Sequence, residues 1–344
     1  MEKQFQHKEK FWLESGQSLP EITITYHTWG NPKNPTVWIC HALTGNSNAA
    51  DWWSGIVGEG KLFDPQKYFI VCANMLGSCY GSTNALSINP ETQQPYYHQF
   101  PILTNRDIVS AFDLLRKHLN IEQINIGIGG SMGGQQVLEW AIWQPTLFKN
   151  LVLLASNAQH SAWGIAFNEA QRMAIEADQT WKENHSQAGS EGMKAARAIA
   201  LLSYRNYHTY QNHQTDTETE KIDQFRAASY QQYQGLKLQK RFHAYAYWTL
   251  SKAMDSHHVG RNRGSVEQAL ATVTAKTLVI AIKTDILFPP DEQRVLYTYI
   301  PDAQYIEIQS LYGHDGFLIE YPTIETIITQ KLQLSHQTLN TQIF

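Results

Sequence analysis

Cysteine is scarce in this 344-residue chain: there are three, Cys40, Cys72 and Cys79. They cannot all pair with one another, which speaks against a disulfide framework. Cys40 and Cys72 lie inside apolar runs, so buried free thiols in a reducing compartment are expected. No apolar run reaches the roughly 18 residues a membrane-crossing helix requires. The opening residues Met1-Glu2-Lys3-Gln4-Phe5-Gln6-His7 lack the apolar segment of a secretion signal, so a cytoplasmic location is expected. Excess charge is missing too. The 27 Lys and Arg stand against 31 Asp and Glu, a formal net charge of -4, and neither nucleic acid nor membrane is expected as a partner. No cluster of Cys and His has zinc-ligand spacing, so no metal is expected.

What is present is a folding composition, 42% hydrophobic and 17% charged. The length suits one large α/β core with an insertion, or two domains. Short β-rich runs occur at 36–40 (TVWIC), 68–73 (YFIVCA), 124–128 (INIGI), 151–155 (LVLLA), 277–282 (TLVIAI) and 305–308 (YIEI). Most are continuously apolar, as strands buried on both faces of a parallel sheet are. Helical patterns at 108–119 and 135–143 separate some of them, which predicts a parallel sheet covered by helices on both faces. Residues 22–28 (ITITYHT) alternate and suit an antiparallel edge hairpin.

From about 159 to 272 no strand is evident. Helical stretches at 166–177, 193–202 and 242–254 flank a polar segment, 207–223, that reads as an exposed loop. The expected division is a core of residues 1–158 and 273–344 with a helical lid, 159–272, inserted between two strands of its sheet.

One motif carries chemistry. Gly129-Gly130-Ser131-Met132-Gly133-Gly134 follows the INIGI run and opens the next helix, which satisfies G-x-S-x-G in its strand–turn–helix context. Glycines let neighbouring backbone approach a serine on a sharp, strained turn. The helix N-terminus aims amides and a positive dipole end at a developing oxyanion. A dinucleotide fingerprint would need glycine where Met132 stands, and a phosphate loop would need lysine where Gln135 stands.

A serine nucleophile on such a turn needs an acid and then a histidine, each just past a late strand. Asp285 follows the TLVIAI run and His314 the YIEI run. His314 is the expected base and Asp285 the group that fixes its tautomer. His41 precedes the serine, the wrong order for this architecture. The oxyanion hole is expected from the backbone amides of Met132 and Leu43, the latter in the loop after TVWIC.

The chain also resembles the homoserine transacetylases, a family of α/β-hydrolase fold. The resemblance rests on His41-Ala42-Leu43-Thr44-Gly45-Asn46, Asp51-Trp52-Trp53, Gly77-Ser78-Cys79-Tyr80-Gly81-Ser82-Thr83 and Ser87-Ile88-Asn89-Pro90. It continues through Arg106-Asp107, residues 129–135, Ala166-Phe167-Asn168-Glu169 with Arg172, and Ala253-Met254-Asp255. It ends in Asp285-Ile286-Leu287-Phe288-Pro289 and Gly313-His314-Asp315-Gly316-Phe317-Leu318. It covers about residues 11–321. Ser78, Tyr80 and Gly316 depart from the usual pattern.

The resemblance implies a ping-pong reaction. Acetyl-CoA, a co-substrate rather than a bound cofactor, acetylates Ser131, and the L-homoserine hydroxyl then takes the acetyl group. The resemblance further implies that Arg172 holds the acceptor's carboxylate, that Asp315 is its acidic partner, and that Tyr204 and Tyr245 line the acceptor pocket. It implies a homodimer held through the lid. Related chemistries of this fold are succinyl transfer, serine as acceptor, and plain ester or thioester hydrolysis.

Overall fold

The computed structural model describes residues 1–334. Eight strands form one sheet: β1 (Glu2–His7), β2 (Ile22–Trp29), β3 (Thr36–Cys40), β4 (Phe69–Ala73), β5 (Ile124–Gly130), β6 (Phe148–Leu154), β7 (Lys276–Ile282) and β8 (Ala303–Ile308). Their spatial order is β1-β2-β4-β3-β5-β6-β7-β8. The last six are parallel, while β2 pairs antiparallel with both β1 and β4.

The continuous apolar runs are explained by burial on both faces. Val37 and Ile39 of β3 face one apolar cluster, with Ile70, Ile126, Val152 and Ile280. Trp38 and Cys40 face the other, with Val71, Phe112, Val137, Trp140 and Leu153. Each such side chain contributes about 1.5–3 kcal/mol relative to exposure.

Helices α1 (Asn105–His118) and α2 (Met132–Trp143) cover the second face. A reciprocal capping box between Thr104 and Asp107 fixes the start of α1. The whole run from Met132 to Ile142 is buried, because α2 is packed on all sides. The residue 22–28 expectation of an edge hairpin changes in one respect. β2 lies one strand in from the edge, with the polar β1 outside it in the register Glu2↔His27 to His7↔Ile22.

Between β6 and β7 no strand joins the sheet among the described residues. Five longer helices occupy this interval: α3 (Ala162–Glu176), α4 (Ser190–Tyr204), α5 (Tyr207–Gln214), α6 (Arg226–Gln239) and α7 (Ala244–Asp255). The polar segment expected as a loop contains α5 instead. Asn206 and Thr209 form a capping box that starts it, and local capping outweighs the segment's lack of an apolar stripe.

The chain enters and leaves this helical block side by side. The His160 amide donates to the His257 carbonyl at 2.9 Å, and the Val259 amide to the Ala158 carbonyl at 3.0 Å. These bonds flank a bridge between Gln159 and His258, inside the expected 159–272 insertion. Beyond β7 lie α8 (Pro290–Tyr299) and α9 (Tyr321–Lys331). No helix among the described residues is long and apolar enough to cross a membrane.

Candidate active site

Ser131 links β5 to α2, with φ 57° and ψ -130°. That conformation is strained for any residue with a Cβ. It is held from several sides. The Ser131 amide donates to the Leu154 carbonyl at 2.9 Å, and the Ser131 carbonyl accepts from Ser156 Oγ at 3.0 Å and the Gly134 amide at 3.0 Å. A side chain at 129 would collide with the Gly133–Gly134 backbone, and one at 133 with the Cys40 carbonyl. The flanking glycines are thus what allow the strand, the turn and the helix to converge on the serine.

Asp285 and His314 arrive from the loops after β7 and β8. His314 Nδ1 lies 2.6 Å from Asp285 Oδ2. Asp285 Oδ1 accepts the amides of Leu287 at 2.8 Å and Phe288 at 2.9 Å. A carboxylate only accepts, so Nδ1 carries the hydrogen and Nε2 is left as the basic nitrogen. The imidazole is boxed by Phe288, stacked at 5.0 Å, Phe317 at 5.5 Å and Tyr204 at 5.8 Å. Its ring position is set by packing as well as by the acid.

Ser131, His314 and Leu43 share the wall of a cavity of about 390 Å³. The amides of Leu43 and Met132 donate to no group among the described residues, as donors reserved for an oxyanion should. His41 is buried behind this loop. Its Nδ1 lies 2.9 Å from the Ala42 carbonyl, its Nε2 3.4 Å from the Met75 amide, and burial lowers its pKa to about 4. Both nitrogens are engaged, so it is no rival base.

The cavity brings together some of the expected binding residues. Tyr204 and Asp315 line it, and Asp315 also stands 3.1 Å from Arg205 Nη1. Arg172 and Tyr245 do not line it. Arg172 is 1% exposed and its guanidinium is filled by Asp255 at 2.5 Å, Glu169 at 2.5 Å and Ser251 at 3.1 Å. It ties α3 to α7, so the guanidinium expected to hold the acceptor's carboxylate is engaged by the protein's own side chains and stands outside the cavity lining. Tyr245 packs with His98 and Trp181 and donates to the Glu183 carbonyl at 2.9 Å, away from the serine.

The residue sequence reasoning missed is Arg197. It lines the cavity, lies over the Tyr204 ring at 5.2 Å, and has a buried Nη1 without a partner. Arg197 and Tyr204 are seven residues apart on α4 and so share a face. That spacing was the available signal. Lys237 and Arg241 add two further cations to the cavity wall, and Asp51 joins Asp315 as the second carboxylate. Arg241 also ties the lid to the oxyanion loop, donating to the Thr44 carbonyl at 2.7 Å and the Tyr80 hydroxyl at 2.5 Å. No group of three or more His, Cys, Asp or Glu among the described residues is arranged to hold a metal ion.

A sequence model of the alpha/beta hydrolase fold matches residues 35–321. A homoserine O-acetyltransferase of Cyclobacterium marinum is 52% identical over 327 residues, 94% of this chain and 93% of that one. The solved homoserine O-acetyltransferase of Staphylococcus aureus superposes with a TM-score of 0.82 at 30% identity, covering 98% of this chain and 97% of the other. The fold extends beyond transferases. Esterase E22 superposes with a TM-score of 0.88 at 23% identity, covering 96% and 99%. Backbone shape alone therefore does not separate hydrolysis from transfer, whereas sequence identity along nearly the whole length does show the family. The chain belongs to the homoserine O-acetyltransferase family of the α/β-hydrolase fold.

Proposed function

We propose that this chain moves the acetyl group of acetyl-CoA to the hydroxyl of L-homoserine, by way of an acetyl-Ser131 ester, to give O-acetyl-L-homoserine for methionine synthesis. The observation that carries this reading beyond fold is the charge in the cavity. Arg197, Lys237 and Arg241, together with Asp51 and Asp315, line the cavity that holds the serine and histidine. A neutral ester needs none of them, while a zwitterionic amino acid and an anionic thioester need both signs.

In the first half-reaction His314 Nε2 takes the Ser131 proton as Oγ adds to the thioester carbonyl. The Leu43 and Met132 amides hold the oxyanion. Collapse expels the thiol, protonated by His314. In the second, the homoserine hydroxyl gives its proton to His314 and adds to the acetyl-serine carbonyl. Collapse then returns the proton to Ser131. Arg197 is the carboxylate anchor in this scheme, Asp315 takes the ammonium, and Tyr204 walls the acceptor beside His314. No metal or resident cofactor takes part.

The scheme is tested by product analysis. Purified protein given acetyl-CoA and L-homoserine should yield O-acetyl-L-homoserine, with far less product from succinyl-CoA or L-serine. Free acetate as the main product would instead make this a thioesterase.

The same proposal includes a cytoplasmic location and a homodimer through the lid, where Met173 of α3 and Leu202 of α4 expose 61% and 52% of their surface. Light scattering that gave a monomer would remove the dimer from it.

A further inference from the structure

A second cavity, of about 320 Å³, is lined by Arg205, which pairs with Asp315 of the catalytic cavity. Its walls are aromatic. Tyr210 and Tyr230 meet edge to face at 6.0 Å, and His213 stacks nearly parallel on Tyr312 at 6.0 Å. Arg205 lies over the Tyr312 ring at 5.6 Å. No acidic side chain lines this cavity.

The unbonded buried polar atoms of the lining residues are Arg205 and Tyr210 groups that can donate. Arg205 Nε and Nη1 and the Tyr210 hydroxyl are buried with no hydrogen bond, as is the neighbouring Asn206 Nδ2. All can donate. Arg205 Nη1 is within 3.1 Å of Asp315 Oδ2, yet its N–H is not directed at that oxygen. Buried polar groups are nearly always paired, and an unpaired one costs about 1–3 kcal/mol. A cluster of orphan donors around a cation describes the imprint of an acceptor with negative charge.

We infer that this cavity is a binding site for a small organic carboxylate whose flat or compact apolar body packs among Tyr210, Tyr230 and Tyr312. The carboxylate accepts from Arg205 Nε and Nη1 and from the Tyr210 hydroxyl. The site communicates with the catalytic cavity through one residue. Asp315 lines that cavity, follows His314 in the chain, and shares Arg205. A carboxylate that takes Arg205 frees Asp315 for a cation on the catalytic side. If the acceptor presents an ammonium there, as the proposed function has it, each ligand raises the affinity of the other by the same factor. The binding itself does not depend on that reading.

The probe is 4-fluorobenzoate, titrated against the full chain and followed by fluorine NMR, with 4-fluorobenzamide as the uncharged counterpart. Saturable binding of the acid is expected, weakened by at least about tenfold in Arg205→Gln, as for loss of a charged hydrogen-bond donor. Tyr210→Phe, which keeps the ring, should weaken it several-fold, and Arg197→Gln should leave it intact. Thermal melts establish that the variants are folded.

Three results would overturn the inference. One is no saturable binding. Another is equal binding of the amide. The third is binding lost in Arg197→Gln but kept in Arg205→Gln, which would place the probe in the catalytic cavity. Absence of acetyl transfer would leave all three readouts interpretable.

Discussion

His314 Nδ1 sits 2.6 Å from one oxygen of Asp285, while the other oxygen of that carboxylate takes the Leu287 and Phe288 amides. Asp285 is thus oriented before it orients anything else. Asp285→Asn keeps the shape but can present an N–H to Nδ1 and favour the wrong tautomer. The expected loss in kcat is about 10⁴-fold, with the fold and the thermal midpoint nearly unchanged. A kcat within tenfold of the parent would remove Asp285 from the catalytic set.

The strained turn allows activity and stability to be separated. Ser131→Ala should abolish turnover by roughly 10⁶-fold. Ser131→Gly should be equally inactive but more stable, by about 1 kcal/mol or more, because φ 57° with ψ -130° suits glycine. Chemical denaturation of the two variants side by side measures this. A glycine variant less stable than the alanine one would contradict the strain argument.

Gly133 bears on the close approach of α2 to β3. A methyl group there would meet the Cys40 carbonyl, a backbone atom that cannot swing aside. Gly133→Ala should cost about 1–3 kcal/mol in stability and lower activity as well, since Met132 and Leu43 flank the contact. Unaltered denaturation and kcat would show that the helix can retreat freely.

The two lid arginines are predicted to fail in different ways. Arg172→Met leaves Asp255, which is largely buried, without its cation, and should cost about 3 kcal/mol of stability. Arg197→Met should melt near the parent. It should raise the KM for homoserine by roughly tenfold to a hundredfold, while sparing acylation of Ser131. Steady-state kinetics with thermal melts on both variants checks the pair, and a selective homoserine defect in Arg172→Met would reverse the assignment.

Stability should fall in mild acid. Burial holds His41 and His160 near pKa 4 and His257 near 3, against an ordinary value of 6.5. All three are neutral in the folded chain, while the unfolded chain takes up their protons. Their contribution is complete above about pH 6.5. It is lost as pH falls through the window down to about 4, by about 1.4 kcal/mol per pH unit for each. Urea midpoints between pH 7.5 and 5 test this, and His41→Asn should flatten the slope.

The legible parts of this protein are those where local sequence and tertiary demand agree. The strand at Thr36–Cys40 is apolar because both faces are buried, and glycine surrounds Ser131 because backbone crowds it. Strand ends with Asp and His in the right order therefore pointed to residues that the fold brings together, Asp285 against His314 and His314 on the cavity wall with Ser131.

Legibility failed where partners decide. β1 is a polar edge strand, recognisable only from its pairing with β2. Helix α5 depends on the Asn206 cap more than on periodicity. Arg172 and Arg197 both lie on lid helices, and only the packing of α3 and α4 decides which one lines the cavity with the serine. The placement of Tyr245 is likewise set by packing, its ring lying against His98 and Trp181.

The central claim is a Ser131 acetyl ester that homoserine, not water, discharges. The most direct measurement is rapid-quench intact mass of the protein after mixing with acetyl-CoA alone, then after adding L-homoserine. The account predicts one added acetyl group, mapped to the Ser131 peptide, that persists in water and disappears when homoserine arrives. An unmodified protein, or an acetyl group lost equally fast without homoserine, would contradict it.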